Sequence, residues 1–176
     1  MSIFTLYPKI AYKVNEYDYL RAIDITQSTK IRSFLKGYRG ISFNPYTVKN
    51  GERPDYVAHK FYGDSNLDWV ILLSNDIYNI YEEWPKNSTD FENYLIEKYG
   101  SIATTLSTVK YYYNASKDII DETTYNALSI SAKSSETIYE YELRVNNNKS
   151  KIKLIRPNII GAIQSELKSL LYKPVR

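Results

Sequence analysis

The pattern of hydrophobic and polar positions is most informative between residues 42 and 85. Residues 46–48 favour a short strand, and Asn50-Gly51 is a turn signal. Pro54 suits the first turn of a helix, and Gly63 is a natural helix stop. Residues 77–80 favour a second short strand. Between these strands, apolar residues recur at helical spacing in two helices: Val57, Ala58 and Phe61 in the first, and Leu67, Val70 and Leu73 in the second. The predicted order is strand, helix, helix, strand.

Two further helices are predicted beside this block. The chain begins irregularly, because Pro8 interrupts the first apolar run. Ser28 then caps a helix that ends by Gly40, with an apolar stripe at Ile31, Phe34 and Leu35. A second helix is predicted over residues 86–100, where Thr89 and Glu92 form a capping box and Gly100 ends the helix.

The stretch from residue 101 to residue 156 has the composition of strands. Residues 109–113 are rich in Val and Tyr. Residues 137–145 alternate with period two, and residues 151–155 alternate again after three asparagines. We therefore predict that 137–145 and 151–155 pair as a β-hairpin.

A C-terminal helix is predicted over residues 157–172, opening at Pro157. It carries an apolar seam with 3-4-3 spacing, at Ile160, Ile163, Leu167 and Leu170. Two interpretations remain open. The seam either docks the helix on its own domain or receives a partner.

Composition narrows the class of protein. The chain is 43% hydrophobic and 24% charged, as in globular proteins, and carries 19 tyrosines. These reflect either A/T-rich codons or a large interface area, where tyrosine is enriched. The net charge is +3 without a Lys/Arg-rich run, so we expect no nucleic-acid or membrane partner. The absence of cysteine excludes disulfides, thiolate zinc sites and cysteine nucleophiles. Neither a signal peptide nor a membrane span is expected.

The sequence offers no catalytic constellation. His59 is the only histidine, so a two-histidine zinc site is excluded and a catalytic triad has little support. The carboxylate pairs Glu82-Glu83 and Asp121-Glu122 are typical of solvated turns. The six glycines form no phosphate-binding motif. We predict no enzyme activity, catalytic residue, cofactor, metal site or small-molecule substrate.

The central segment carries a set of residues in a distinctive order: Arg53, Pro54, Ala58, Tyr62, Gly63, Trp69, Val70, Asn75 and Asp76. This set resembles the small baseplate wedge subunit of T-even-like contractile-tailed phages. Phe4-Thr5, Gly37-Tyr38-Arg39 and the final helix are also similar to that family, whereas residues 101–156 match it poorly. The opening Tyr46-Thr47-Val48 and the two helices also resemble a LysM module.

The resemblance implies an α+β protein with a central LysM-like βααβ module. We predict an N-terminal extension with a helix (1–41), the LysM-like module (42–85), a helix with a β-hairpin region (86–156) and the C-terminal helix (157–176). The nine motif residues are expected to be structural. A LysM module usually ends in a Pro-x-x-Gly-like turn and a closing strand, and neither is evident here.

The implied function is structural. Such a subunit joins wedge subunits around the hub of a phage tail baseplate, within a virion assembled in the host cytoplasm. Its partners are other baseplate wedge proteins and sheath-initiating tail proteins, and several copies are expected per baseplate. The alternative is a LysM-type module that binds peptidoglycan or chitin. Candidate partner contacts lie near the two ends of the chain: Phe4, Leu6, Tyr7, Ile160, Ile163, Leu167 and Leu170.

Overall fold

Helices and small sheets alternate along residues 6–24 and 43–172, which are the residues described by this computed structural model. In chain order the elements are β1 (Lys9–Lys13), β2 (Tyr19–Ile23), β3 (Phe43–Thr47), α1 (Pro54–Tyr62), a 3₁₀ helix (Ser65–Leu67), α2 (Asp68–Ser74), α3 (Ile80–Glu83), α4 (Ser88–Tyr99), α5 (Ile102–Ser107), β4 (Val109–Asn114), β5 (Ile119–Ile120), α6 (Glu122–Ala127), a second 3₁₀ helix (Ile130–Ala132), β6 (Lys133–Thr137), α7 (Ile138–Lys149), β7 (Lys151–Ile155) and α8 (Pro157–Leu171). The predicted α+β class is confirmed. The helix predicted between Ser28 and Gly40 lies outside the described residues.

The chain divides into two compact units. The first unit comprises Met1–Val48, Glu52–Glu83 and Lys151–Arg176, and the second comprises Lys49–Gly51 and Trp84–Ser150. β7 and α8 therefore belong with the central helices, although the sequence had suggested that residues 86–156 and 157–176 form separate parts.

In the first unit, α1 and α2 form where local signals predict them. Pro54 occupies the first turn of α1, and Gly63 ends it in the left-handed conformation (φ 76°). The Gly63 amide donates to the His59 carbonyl oxygen at 2.8 Å, which satisfies a carbonyl at the helix end. The Asp64 side chain then accepts from the Asn66 amide and caps the 3₁₀ helix that leads into α2.

The prediction of a second short strand over residues 77–80 is wrong. Asp76 is left-handed (φ 58°), and the Ile77 amide donates to the Leu72 carbonyl oxygen at 2.9 Å. This cap turns the chain, and residues 80–83 are helical instead. The strand that pairs antiparallel with β3 is β7, in a register that sets Pro45 opposite Lys153. The strand-helix-helix-strand order thus exists in space, but its last strand comes from far along the chain.

β7 suits this place because its side chains alternate. Ile152 and Leu154 are buried, whereas Lys151 and Lys153 are exposed. Ile155 is buried at the end of the strand. The first unit's core combines these residues with those of the two central helices and α8: Val57, Ala58, Trp69, Val70, Ile71, Ile160, Ile163, Leu167 and Leu171.

The second unit contains α4 and a three-stranded antiparallel sheet in the order β5-β4-β6. The predicted helix over residues 86–100 is confirmed, and it ends at Gly100. Its cap differs from the prediction. Asn87 caps the helix by accepting from the Asp90 amide, so the predicted capping box at Thr89 is wrong. The predicted strand at residues 109–113 is also confirmed and extends to Asn114.

The predicted β-hairpin of residues 137–145 and 151–155 is absent, because residues 138–149 form α7. Thr137 and Glu140 make a capping box there, which starts a helix. Residues 151–155 are a strand, as predicted, but they pair with β3. The alternating pattern predicted a strand, but it also fits a helix, because Tyr141 and Val145 are four residues apart and lie on one face of a helix.

Several tyrosine hydroxyls donate hydrogen bonds to buried or half-buried carboxylates. In the second unit, the Glu142 side chain accepts from the hydroxyls of Tyr94 and Tyr99, and from the Lys98 ammonium at 3.0 Å. Burial alone would raise the pKa of Glu142, but hydrogen bonds from Tyr99 and Lys98 outweigh it and hold the pKa below its usual range. In the first unit, the Tyr46 hydroxyl donates to Glu52 at 2.7 Å. These tyrosines therefore serve the fold of their own unit.

Candidate protein interaction surface

The nine motif residues all lie on or beside α1 and α2 in the first unit. Most are structural in an evident way. Pro54, Ala58, Trp69 and Val70 are buried, and Gly63 forms the left-handed turn after α1. Tyr62 is half-buried, and burial raises the pKa of its phenol. Arg53 precedes the first turn of α1 and pairs with Asp55 at 3.2 Å.

Asn75 connects the end of α2 to β7. Its side-chain amide donates to the Lys153 carbonyl oxygen at 2.8 Å, and its side-chain oxygen accepts from the Lys153 amide at 2.8 Å. Lys153 lies opposite Pro45 in the sheet, and both backbone groups of Lys153 bond to the Asn75 side chain. Alternate residues of an antiparallel strand direct these groups away from the partner strand, so Asn75 takes the place of a third strand at this position. Lys153 is 78 residues away from Asn75 along the chain.

We expect Asn75→Ala to lower the free energy of unfolding by about 1–3 kcal/mol, because two backbone groups of β7 lose their partners. The measurement is urea unfolding followed by circular dichroism. Hydrogen exchange provides a local readout, since the Lys153 amide should exchange faster in the variant. Asn147→Ala, at an exposed position of α7, is the matched control and should change stability by less than about 0.5 kcal/mol. Unchanged exchange at Lys153 would contradict this role.

The residues predicted to contact partners are mostly buried within the chain. Leu6 and Tyr7 are buried near the beginning. On α8 the buried residues are Ile160, Ile163, Leu167 and Leu171, while Leu170 is only half-buried. Phe4 lies outside the described residues. The apolar seam of α8 therefore serves the core of the first unit, which is the first of the two interpretations left open by the sequence.

The hairpin of β1 and β2 is a surface on which several large apolar side chains are exposed together. Every residue of the two strands is exposed except Ala22, which is half-buried. The strands pair antiparallel from Lys9–Ile23 to Lys13–Tyr19. The sequence contained a signal for this hairpin, because Ile10 and Tyr12 alternate with Lys9, Ala11 and Lys13. The stretch around Pro8 was predicted to be irregular, and the hairpin was not predicted.

A compact turn fixes the end of the hairpin. The Asn15 side-chain oxygen accepts from the amides of Tyr17 and Asp18 at 2.9 and 2.8 Å. The Asn15 side-chain amide donates to the Asp18 carboxylate, and the Val14 amide donates to the Asp18 carbonyl oxygen. Such side-chain bonds to a turn favour one backbone conformation. The exposed hairpin is therefore ordered by its own contacts.

Residues considered for chemistry have ordinary positions. His59 is exposed on α1. Asp121 caps α6, and hydrogen bonds from Thr123 and Thr124 lower the pKa of its carboxyl well below its usual range. Glu83 accepts from the amide of Asn79 at 2.9 Å. Within residues 6–24 and 43–172, no group of three metal-binding side chains comes together. None of the described helices is long and apolar enough to cross a bilayer.

Comparison with known proteins gives two matches. A family model for base plate wedge protein 53 matches residues 2–127. The baseplate wedge protein gp53 of Enterobacteria phage T4 is 30% identical over 69 residues. That alignment covers 39% of this chain and 35% of the T4 protein, so it spans about a third of the relative's length. The family match includes the hairpin of β1 and β2, α1, α2 and Asn75, whereas β6, α7, β7 and α8 lie beyond it.

Proposed function

Because the chain belongs to the base plate wedge protein 53 family, we propose that it is a structural component of a phage tail baseplate wedge. It joins wedge subunits around the central hub through contacts between proteins. Its place is the tail baseplate of the virion, and its assembly takes place in the host cytoplasm. The observation that carries this proposal is the family match, which extends over residues 2–127.

The arrangement of the first unit supports an assembly role. Its motif residues build a packed framework, and Asn75 links α2 to β7. The same unit contains a hairpin whose exposed side chains include large apolar ones. A firm framework with an ordered, exposed element is suited to binding another protein, because less conformational entropy is lost on binding.

The proposed role is structural rather than enzymatic, and it requires no cofactor. The partners are other baseplate wedge proteins and the tail proteins that initiate the sheath, with several copies of the chain in each baseplate. The carbohydrate-binding alternative gains no support from the comparisons, since both matches are baseplate wedge proteins.

A reconstitution experiment tests this proposal. Wedges are assembled from the purified baseplate proteins of the phage that encodes this chain, with and without the chain, and are examined by electron microscopy. We expect that wedges lacking the chain fail to close around the hub, and that adding the purified chain restores closed baseplates. Asn147→Ala should restore them equally well. Normal closed baseplates in the absence of the chain would disprove the proposed function.

A further inference from the structure

The register of the β1–β2 hairpin separates its side chains into two chemically different faces. Residues directly opposite each other in an antiparallel pair lie on the same face. Ile10 pairs with Ala22, and Tyr12 pairs with Leu20. These four residues form the apolar face. The other pairs form the basic face, which contains Lys9, Ala11, Lys13, Tyr19, Arg21 and Ile23.

The apolar face is open to solvent in the isolated chain. Ile10 is 46% exposed, Tyr12 61% and Leu20 62%. A two-stranded hairpin alone is marginally stable in water and gains stability when an apolar face is covered. A group of adjacent, exposed apolar side chains is also typical of a protein interaction site. The hairpin therefore has a face that is suited to burial against another molecule.

The basic face shows what charge that molecule should carry. Lys9, Lys13 and Arg21 lie close together on this face, and none of them forms an ion pair within the described part of the chain. The acidic residues of this segment lie outside the two strands: Glu16 and Asp18 belong to the connection between them, and Asp24 follows β2. The face thus presents three positive charges and no carboxylate, which favours an acidic partner surface.

We infer that the hairpin is a docking arm that inserts into a cleft of another wedge protein, with its apolar face against an apolar wall of the cleft and with Lys9, Lys13 and Arg21 facing carboxylates on the opposite wall. This inference rests on the proposed function and specifies the contact through which it acts. The hydrogen-bonded turn at Asn15 prepares the arm for binding, because the strands are already aligned before the partner arrives.

Other occupants fit the two faces less well. A second copy of this chain would bring its own basic face and a net charge of +3, which disfavours association by repulsion. A nucleic acid would satisfy the cations but leave Ile10, Tyr12 and Leu20 exposed. A protein cleft with one apolar wall and one acidic wall satisfies both faces at once.

Two double variants of the full chain separate the contributions of the faces. Tyr12→Thr with Leu20→Thr removes apolar contact while retaining residues that favour strands. Lys13→Glu with Arg21→Glu reverses the basic face. The matched control is Arg156→Glu with Lys168→Glu, which makes the same change in net charge at exposed positions near and on α8. Each protein is titrated against the assembled wedge that lacks this chain, and its melting temperature is recorded.

We expect each hairpin variant to bind the wedge at least about tenfold more weakly than the wild type, with an unchanged melting temperature. The control should bind within about twofold of the wild type. Raising the salt concentration should weaken the wild type more than the Lys13→Glu/Arg21→Glu variant, because salt screens attraction between opposite charges.

Two results would overturn the inference while leaving the proposed function intact. One is wild-type binding and baseplate closure by both hairpin variants. The other is that the hairpin variants keep the wild-type affinity for the wedge but lose a different association. That association would be self-association, or binding to vesicles of phosphatidylserine and phosphatidylcholine, each measured by sedimentation. If the wild-type chain itself does not bind the wedge, the proposed function fails and the inference fails with it.

Discussion

Trp69→Ala should lower the free energy of unfolding by about 3–5 kcal/mol, the range for removing a buried aromatic side chain. The Trp69 side chain is only 5% exposed and lies on α2, which contacts both α1 and β7 in the first unit. The neighbouring residues Val70 and Ile71 are fully buried, so the surroundings have little freedom to fill the resulting cavity. The measurement is chemical unfolding followed by far-ultraviolet circular dichroism.

The control for this prediction is Tyr56→Ala on α1. Tyr56 is 55% exposed, so its removal should change stability by less than about 1 kcal/mol. Trp69→Phe should have an intermediate effect, because part of the buried ring remains. A loss below about 1 kcal/mol in Trp69→Ala would show that the ring does not support the core.

Helices whose ends are marked by nearby proline or glycine residues were predictable from the sequence. α1 lies between Pro54 and Gly63, α4 ends at Gly100, and α8 opens at Pro157. In each case a residue with restricted or permissive backbone geometry marks an end, and apolar residues at helical spacing mark the buried face. Such signals act locally and do not depend on the rest of the fold.

Pairing over long distances was not predictable in this way. The partner of β3 lies about a hundred residues later, and the sequence around residues 77–80 offered a nearer strand-like run. The cap at Asp76 and Ile77 turns that run away, but a left-handed aspartate is not evident from composition. Likewise, the role of Asn75 depends on Lys153, whose position becomes known only when β7 is placed.

An interaction surface is hard to place from the sequence for a related reason. An apolar stripe such as that of α8 has the same pattern whether its own chain or a partner covers it. Only the structure distinguishes the buried Leu167 from the exposed Tyr12 and Leu20. The alternation in β1 was present in the sequence, but its short length and the nearby Pro8 concealed it. Exposure therefore decides between a core stripe and a docking face.

Leu167→Ala tests this distinction directly. The Leu167 side chain is fully buried on α8, and its truncation should lower the free energy of unfolding by about 2–5 kcal/mol. The effect should appear in the isolated chain, measured by chemical unfolding, because the residue packs against its own unit. Lys168→Ala, at the next and exposed position of the same helix, should change stability by less than about 0.5 kcal/mol.

The opposite result would restore the partner interpretation of α8. If Leu167→Ala left the isolated chain as stable as the wild type but weakened its binding to the wedge, the seam would be an interface rather than a core. The hairpin variants provide the contrasting case, since their expected defect appears in binding and not in stability. A core residue affects the isolated chain first, whereas a docking residue acts only when the partner is present. The two sets of variants therefore show whether the α8 seam and the apolar face of the hairpin belong to the core or to an interface, according to whether stability or binding is lost.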